Sequence, residues 1–258
     1  MDHIKEIIEY RDMIVSMARR ELRGKYEKSV LGFLWSFLNP LAQILIYNII
    51  FTRLFHNGMS HFYIYLMTGI LPWTFFAESF GQGSGSIIYN AEMVKKIYFP
   101  REVLVISEVT AKLVNLLLSF LVMSVFLLLS GVGFSIHIML LPIAVVIEYL
   151  FALGCALLVA AITVYFRDLE YVINVVLMAW IWGTPIMYEA NGVLDTLFRT
   201  VLYANPMTRI IECYHKILYY HSFPSMSDWL IPFAEGAAIL VIGYMVFNRL
   251  NRRFVEEL

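Results

Sequence analysis

An uncharged stretch of the chain, residues 29–52, directly follows a cluster of basic side chains. The stretch is long enough to cross the hydrocarbon core of a bilayer, which needs about 20 apolar residues in a helix. Basic residues beside a span remain preferentially on the cytoplasmic side of the membrane. The cluster in front of this one consists of Arg19, Arg20, Arg23, Lys25 and Lys28. We therefore predict a first membrane span, residues 29–55, that the chain enters from the cytoplasm.

The composition supports a membrane protein and excludes one class of partner. The mean hydropathy is +0.72, and 60% of residues are hydrophobic while 15% are charged. Soluble domains are closer to about 45–50% apolar and 25% charged residues. The 19 basic and 20 acidic residues nearly cancel, so the chain has no overall positive field that would attract nucleic acid. We predict an all-α polytopic membrane protein that does not bind nucleic acid.

Five further apolar segments complete a predicted bundle of six transmembrane helices within a single domain, residues 1–258. If both termini are cytoplasmic, 15 of the 19 Lys and Arg residues lie on the inner side, as the positive-inside rule requires. Residues 81–86, GQGSGS, lack the Gly-Lys-Ser/Thr end of a phosphate-binding loop, and we interpret them as a flexible helix break. The five further spans are predicted at residues 62–80, 103–130, 136–166, 171–188 and 229–248.

The cytoplasmic start, residues 1–28, has the pattern of an amphipathic helix. Its apolar residues fall on one helical stripe, which Arg11 interrupts, and its charged residues lie elsewhere. Such a helix can lie in the headgroup plane of a membrane, or it can pack on a soluble partner. We favour the membrane interface because the first span begins directly afterwards. The stripe consists of Ile4, Ile7, Ile8, Ile14, Val15, Ala18 and Leu22.

Residues 189–228 form the longest predicted segment that does not span the membrane outside the amino terminus. Two helical stripes lie on either side of Asn205-Pro206, and each is too short to cross a bilayer. We predict two short re-entrant helices that dip in from the outer side, and a compact outer cap is the alternative. The first stripe is Leu194, Leu197, Phe198, Val201 and Leu202, and the second is Ile210, Cys213, Tyr214, Ile217 and Leu218.

A charged corner is predicted on the cytoplasmic side between the second and third spans. Pro100 should change the direction of the chain there, because a proline inside a helix lacks the backbone N–H donor and breaks or kinks the helix. An ordinary positively charged inner loop would explain the basic residues but not the aromatic-proline corner. Farther along, Glu108 and Lys112 are four residues apart in the order that favours a helical ion pair.

Separated motifs resemble those of ABC-2 type polysaccharide exporter permeases, the membrane subunits that move O-antigen, capsule or teichoic acid chains. The first motif comprises Tyr26, Ser29, Leu31-Gly32, Trp35 and Asn39-Pro40. The second comprises Asn90, Lys95-Lys96 and Phe99-Pro100-Arg101-Glu102. The third comprises VYFRDLEYV at residues 164–172 with Thr184-Pro185-Ile186 and Tyr188, and the last is Asn205-Pro206.

The resemblance implies a bacterial plasma-membrane assembly of two such permeases with two copies of a separate ATPase, which binds ATP and Mg. This chain itself would hold no cofactor, and a lipid-linked glycan would pass between the permeases. The second motif, with Arg167 and Asp168, would dock the ATPase. Pro185, Asn205 and Pro206 would lie at the outer gate.

Other readings of the function rest on individual residues. Glu78, Glu148 and Glu235 could serve an ion-coupled secondary transporter, because intramembrane carboxylates cost free energy to bury, although structural roles explain them equally well. A membrane glycosyl- or acyltransferase is less favoured, because no paired-carboxylate metal motif and no HExxH are present. Cys155 and Cys213 are expected in different layers, so we predict no disulfide.

Aromatic side chains are candidates for the substrate pathway. Aromatic belts at membrane interfaces are their default explanation. A flat ring also suits stacking against a sugar, since it offers an apolar face and a polar edge. The tentative pathway residues are Trp35, Trp73, Trp180, Trp182 and Tyr188.

Overall fold

The computed structural model of the chain describes residues 6–7, 9–24, 32–53, 58–190 and 195–258. Within these ranges the fold is all-α, as predicted. The predicted positions Tyr26, Ser29, Leu31, Lys25, Lys28 and Leu194 lie outside the described residues, as do Ile4 and Ile8. The helices are α1 Arg11–Gly24, α2 Trp35–Arg53, α3 Phe62–Tyr89, α4 Ala91–Lys96, α5 Glu102–Ser130, α6 Leu141–Thr163, α7 Leu169–Trp180, α8 Thr196–Tyr203, α9 Pro206–Leu218, α10 Met226–Asn251 and α11 Phe254–Glu257.

Three helical segments among the described residues are long and apolar enough to cross a membrane. They are Glu102–Ser130, Ile136–Thr163 and Met226–Asn251, and they match three of the predicted spans. The middle segment begins with a short 3-10 helix, Ile136–Leu140, that leads into α6. Three of the six predicted spans therefore have the length and composition of membrane helices.

The predicted fifth span, residues 171–188, is not a continuous helix. Helix α7 has only 12 residues and ends at Trp180, and the chain then runs in turns to Tyr188. The hydroxyl of Thr184 donates a hydrogen bond to the Trp180 carbonyl group at 3.0 Å. Pro185 follows, and it cannot supply the backbone N–H that a continuing helix would require. The helix thus ends about one turn before Pro185.

The predicted helix break at residues 81–86 is wrong, because α3 continues through them to Tyr89. The glycines allow another helix to approach closely rather than interrupting this one. A Cβ atom at Gly83 would lie 2.9 Å from the Cβ of Ala156 in α6. The Ser84 and Ser86 hydroxyls donate hydrogen bonds to carbonyl groups three residues earlier in the same helix. Neither hydroxyl group therefore needs a partner on another helix.

The core lies around α6, which packs against α10, α3 and α5. Small residues on α6, including Ala152, Gly154 and Ala156, let the neighbouring backbones come close. Gly154 faces Gly243 of α10 in the tightest of these contacts. Dispersion between close backbones, rather than a hydrophobic stripe, stabilises this pair of helices.

The amphipathic helix α1 packs against α5 of its own chain. The ammonium group of Lys112 lies 2.8 Å from Glu108 and 3.6 Å from Glu21 of α1. The predicted Glu108–Lys112 pair is therefore confirmed, and the same ammonium group also links α5 to Glu21 of α1. Ala18 is buried, whereas Val15 on the predicted stripe is 53% exposed. Neither interpretation of this helix included the contact with α5.

The two short helices predicted in residues 189–228 are both present. Asp195 caps α8 by accepting hydrogen bonds from the backbone of Leu197 and Phe198. Asn205 caps α9, and Pro206 occupies its first turn, where the missing N–H does not matter. The whole second stripe is buried: Ile210, Cys213, Tyr214, Ile217 and Leu218 are each at most 3% exposed.

Candidate functional site

Polar and aromatic residues gather at both ends of the helical bundle. At one end the structure brings together the end of α3, all of α4, the start of α5 and the end of α10. The start of α7 joins this end, since the Tyr89 hydroxyl of α3 donates a hydrogen bond to Glu170, and Arg167 and Asp168 directly precede this helix. The predicted docking residues all belong to these segments. We call this surface the basic end.

An open cleft of about 700 Å³ lies at the basic end, between residues 94–101 and the end of α10. Arg101 forms one wall by donating hydrogen bonds to both the backbone and the side-chain oxygen of Asn251. Its guanidinium group also lies 5.9 Å from the ring centroid of Phe254. Burial lowers the pKa of Arg101 from its ordinary value, yet an arginine stays charged at neutral pH.

The predicted docking residues divide into outward-facing and structural ones. Lys95 and Lys96 are exposed beside Tyr98, which is 86% exposed and which the sequence analysis did not select. Arg167 and Asp168 are exposed as well. In contrast, Phe99, Pro100 and Glu102 are buried and hold the corner in place. The feature that singles out Tyr98 is its exposure beside two lysines, and exposure cannot be read from the sequence.

Asn90 connects the basic end to α1. Its amide nitrogen donates to the Ser86 carbonyl group at 2.8 Å, and its amide oxygen accepts from Arg20 at 2.9 Å. Asn90 therefore fixes the α3–α4 corner and the position of the amphipathic helix at the same time. This contact gives it a structural role in addition to the predicted one.

At the opposite end, Asn205 is the centre of a hydrogen-bond network. Its side-chain oxygen accepts from the Trp180 ring and from the Met207 backbone, both at 3.0 Å. Its side-chain nitrogen donates to the Gly183 carbonyl group and to the Thr184 hydroxyl, both at 2.9 Å. Asn205 thus ties the end of α7 to the start of α9. The predicted gate residues Asn205 and Pro206 are brought next to the turn that contains buried Pro185.

The predicted pathway tryptophans lie in two different environments. Trp73 is only 5% exposed and contacts Trp180 in an edge-on arrangement with centroids 6.4 Å apart. Trp180 also contacts Phe76 at 5.1 Å, so these rings form a packed cluster inside the chain. Trp35 and Trp182 are 39% and 55% exposed. The exposed rings have faces that can meet a substrate, whereas the ring of Trp73 packs in the core.

Sequence reasoning missed a second cavity near the Asn205 network. It has a volume of about 360 Å³ and is lined by Tyr65, Pro185, Glu189, Ala190, Glu212, His215, Lys216, Tyr220 and Ser222. Tyr65 stacks on His215 with centroids 3.9 Å apart and donates to the carbonyl oxygen of Tyr188. Burial and a hydrogen bond to Glu189 raise the pKa of Tyr220 above its ordinary value. Because these residues come from four separate segments, no local motif indicates the cavity.

The three carboxylates considered for ion coupling have different local partners. Glu148 is fully buried and accepts a hydrogen bond of 2.6 Å from Tyr214, which links α6 to α9. Glu78 lines a small polar cavity together with Lys112. Glu235 is half-buried near Arg209. A structural role for Glu148 is visible in its contact with Tyr214.

These features define a helical, multi-pass membrane protein with polar and aromatic residues gathered at each end of the bundle. The chain matches the ABC-2 type transporter family over residues 13–219 and belongs to this family. It is 32% identical over 256 residues to the O-antigen export system permease protein RfbA of Myxococcus xanthus, covering 99% of this chain and 98% of that protein.

More distant similarities extend to a related transport protein. An O-antigen export system permease protein RfbA of Klebsiella pneumoniae is 30% identical over 248 residues, covering 96% of this chain and 95% of that protein. The polysialic acid transport protein KpsM of Escherichia coli is 24% identical over 201 residues, covering 75% and 76% of the two chains. The family resemblance seen in the separated motifs is confirmed.

The Asn205 network provides a test of the gate region. Asn205→Ala removes the cap of α9 and leaves the Trp180 ring without its acceptor, so it should destabilise the chain by about 2–4 kcal/mol. Asn205→Asp keeps both accepted bonds and should cost less. Thermal unfolding of the purified chain measures both effects. Asn174→Ala is the control, because it removes an exposed side chain with a single local bond. Equal midpoints for all three variants would contradict the role of Asn205.

Proposed function

We propose that this chain is the membrane permease subunit of an ATP-driven exporter that moves a lipid-linked polysaccharide across the bacterial plasma membrane. The observation that carries the proposal is similarity to O-antigen export permeases along nearly the full length of both chains. The similarity of the chain to a polysialic acid transport protein also fits a polysaccharide cargo. The transported glycan would be of the O-antigen, capsule or teichoic acid type.

In the proposed arrangement the chain crosses the membrane six times and both termini are cytoplasmic. Helices α2 and α3, the 171–188 segment that contains most of α7, and the three long apolar segments supply these crossings. Support comes from the gathering of the predicted inner loops at one end of the bundle. Helices α8 and α9 would re-enter the membrane from the outer side, and the buried stripe of α9 is consistent with this placement.

We propose that the basic end docks a separate ATPase, and that two permeases and two ATPase copies form the exporter. An exporter needs a source of work, and the sequence contains no Gly-Lys-Ser/Thr phosphate-binding motif. ATP and Mg would therefore be bound by the partner. Exposed Tyr98 beside a large cleft offers an aromatic anchor of the kind enriched at protein interfaces. Lys95 and Lys96 add exposed positive groups that can steer association with an acidic partner surface.

The exposed rings of Trp35 and Trp182 are proposed to let the glycan slide between the permeases. A transported polymer must bind weakly at many points so that it can leave each one, as permeating ions do. Stacking on an aromatic face contributes about 1 kcal/mol and tolerates changes of register. The Trp73–Trp180 cluster would support this surface from inside, and Tyr188 would hold Trp182 by donating to its carbonyl oxygen at 2.8 Å.

The docking proposal is tested with a charge reversal and an aromatic truncation. Lys95→Glu combined with Tyr98→Ala should reduce co-purification of the co-expressed ATPase about tenfold, because a few side chains, often aromatic ones, carry most of the binding energy of an interface. The fold should be unaffected, since both side chains are exposed. Glycan export should fall in parallel, while the amount of permease in the membrane stays unchanged. Arg53→Glu is the matched control, since it reverses an exposed charge at the far end of α2.

Two outcomes would contradict the proposal. One is normal export and normal co-purification in the Lys95→Glu, Tyr98→Ala variant. The other is glycan export by cells in which the gene for the partner ATPase has been deleted. The second outcome would favour a transporter driven by an ion gradient.

A further inference from the structure

Two arginines flank one aromatic ring where α8 meets α9. The guanidinium carbon of Arg209 lies 5.3 Å from the ring centroid of Tyr203, and that of Arg199 lies 6.0 Å from it. The Tyr203 hydroxyl donates a hydrogen bond to Glu212 at 2.8 Å, and this bond fixes the position of the ring. A guanidinium group has five N–H donors in a planar fork, and contact with a ring leaves donors at its edge for another partner.

These side chains line an open cleft of about 690 Å³. The other lining residues are Thr196, Thr200 and Ala204, and no acidic side chain lines the cleft among the described residues. The nearby carboxylates, Glu212 and Glu235, interact with Arg209 but are not part of the lining. The cleft therefore presents two guanidinium groups and the Thr196 hydroxyl group to a ligand, while the Thr200 hydroxyl donates to the Thr196 carbonyl group at 2.9 Å.

The same helix carries a second, apolar face. Thr196, Arg199, Thr200 and Tyr203 recur at the three- and four-residue spacing that places them on one side of α8. Leu197, Phe198 and Val201 lie on another side and are 76%, 45% and 57% exposed. One short helix thus combines a cationic cleft with an uncovered apolar strip. A ligand that matches both has an anionic head and a hydrocarbon tail.

We propose that the α8–α9 cleft binds the phosphate group of a membrane lipid, with the lipid chain along Leu197, Phe198 and Val201. Arginine binds phosphate oxygens through paired N–H donors, and amphipathic helices hold anionic lipids by combining charge with buried apolar area. The phosphate can come from a bilayer phospholipid or from the lipid carrier of a transported glycan. The second source rests on the proposed export function, while the first does not.

The test measures lipid binding to the purified full-length chain in neutral detergent by native mass spectrometry. The probes are dioleoylphosphatidylglycerol, a polyprenyl phosphate, inorganic phosphate, and dioleoylglycerol, which has the acyl chains without the phosphate. Loss of one charged contact corresponds to about a tenfold loss of affinity, so the double variant Arg199→Gln, Arg209→Gln should bind phosphate-bearing lipids about 100-fold more weakly. Binding of dioleoylglycerol should not change.

Matched variants separate binding from folding. Arg209→Lys keeps the charge without the fork, so it should lie between the wild type and Arg209→Gln and should fold normally. Arg253→Gln makes the same change at an exposed arginine beyond α10 and should bind like the wild type. Tighter binding of the polyprenyl phosphate than of phosphatidylglycerol assigns the site to the glycan carrier, and the reverse order assigns it to bilayer lipid.

Three results would overturn the proposal. They are equal lipid affinity in the wild type and the double glutamine variant, equal binding of dioleoylglycerol and phosphatidylglycerol by the wild type, and an effect of the variants on inorganic phosphate without any effect on the phosphate-bearing lipids. A failure of the ATPase-docking test leaves this proposal intact, because lipid binding is measured on the chain without its partner.

Discussion

Replacing Gly243 by alanine is expected to prevent stable assembly of the helical bundle. A Cβ atom at this position would lie 2.2 Å from the Gly154 carbonyl oxygen and 3.1 Å from its carbonyl carbon. The obstructing atoms are backbone, so no side-chain rotation can relieve the contact. In the reverse direction, a Cβ at Gly154 would lie 2.5 Å from the backbone nitrogen of Leu240. The two helices must move apart, and this should cost about 3 kcal/mol or more.

The measurement is the yield of monodisperse protein after detergent extraction, followed by thermal unfolding. Gly81→Ala is the matched control, because its Cβ would meet the nearest atom, on the Leu177 side chain, at an ordinary 3.6 Å. Alanine also favours a helix over glycine by about 0.5–1 kcal/mol, so this variant should be as stable as the wild type or more so. If Gly243→Ala behaves like Gly81→Ala, the close contact between α6 and α10 does not exist in the membrane.

The sequence predicted both of these helices but could not predict their contact. Hydropathy identifies an apolar segment by its length, yet it contains no information about which neighbour the segment touches. The absence of information about neighbouring helices also explains the wrong prediction of a helix break at residues 81–86. Gly83 there allows close contact with Ala156 of α6. A glycine that weakens an isolated helix becomes useful once a second backbone approaches it. Its effect depends on tertiary structure rather than on local propensity.

Local signals were reliable where the responsible chemistry was also local. Asn205-Pro206 marked a helix start because the cap and the first-turn proline act within a few residues. The predicted docking residues also lie together at one end of the bundle. Their division into exposed Lys95 and buried Phe99 could not be predicted, because it depends on packing against distant α10. The cleft around Arg209 was missed for the same reason.

Lys112→Met is expected to destabilise the chain by about 3–5 kcal/mol, because it would leave a mostly buried carboxylate without its cation. Lys112 is 1% exposed and Glu108 is 14% exposed, and Glu21 of α1 lies 3.6 Å from the same ammonium group. The double variant Glu108→Gln, Lys112→Met removes both charges and should recover much of this loss. It should not restore the contact between α1 and α5, because Glu21 remains without its partner.

A second ion pair in the chain isolates the effect of burial on this prediction. Lys96 and Glu92 have the same four-residue spacing and the same 2.8 Å separation as Lys112 and Glu108, but their side chains are 72% and 81% exposed. Exposed helical pairs contribute about 0.3–0.5 kcal/mol, so Lys96→Met should scarcely change stability. Denaturant unfolding of Lys112→Met, Lys96→Met and the double variant gives the comparison. Equal stability of the two single variants would refute the role of Lys112, because the pairs differ chiefly in their exposure to solvent.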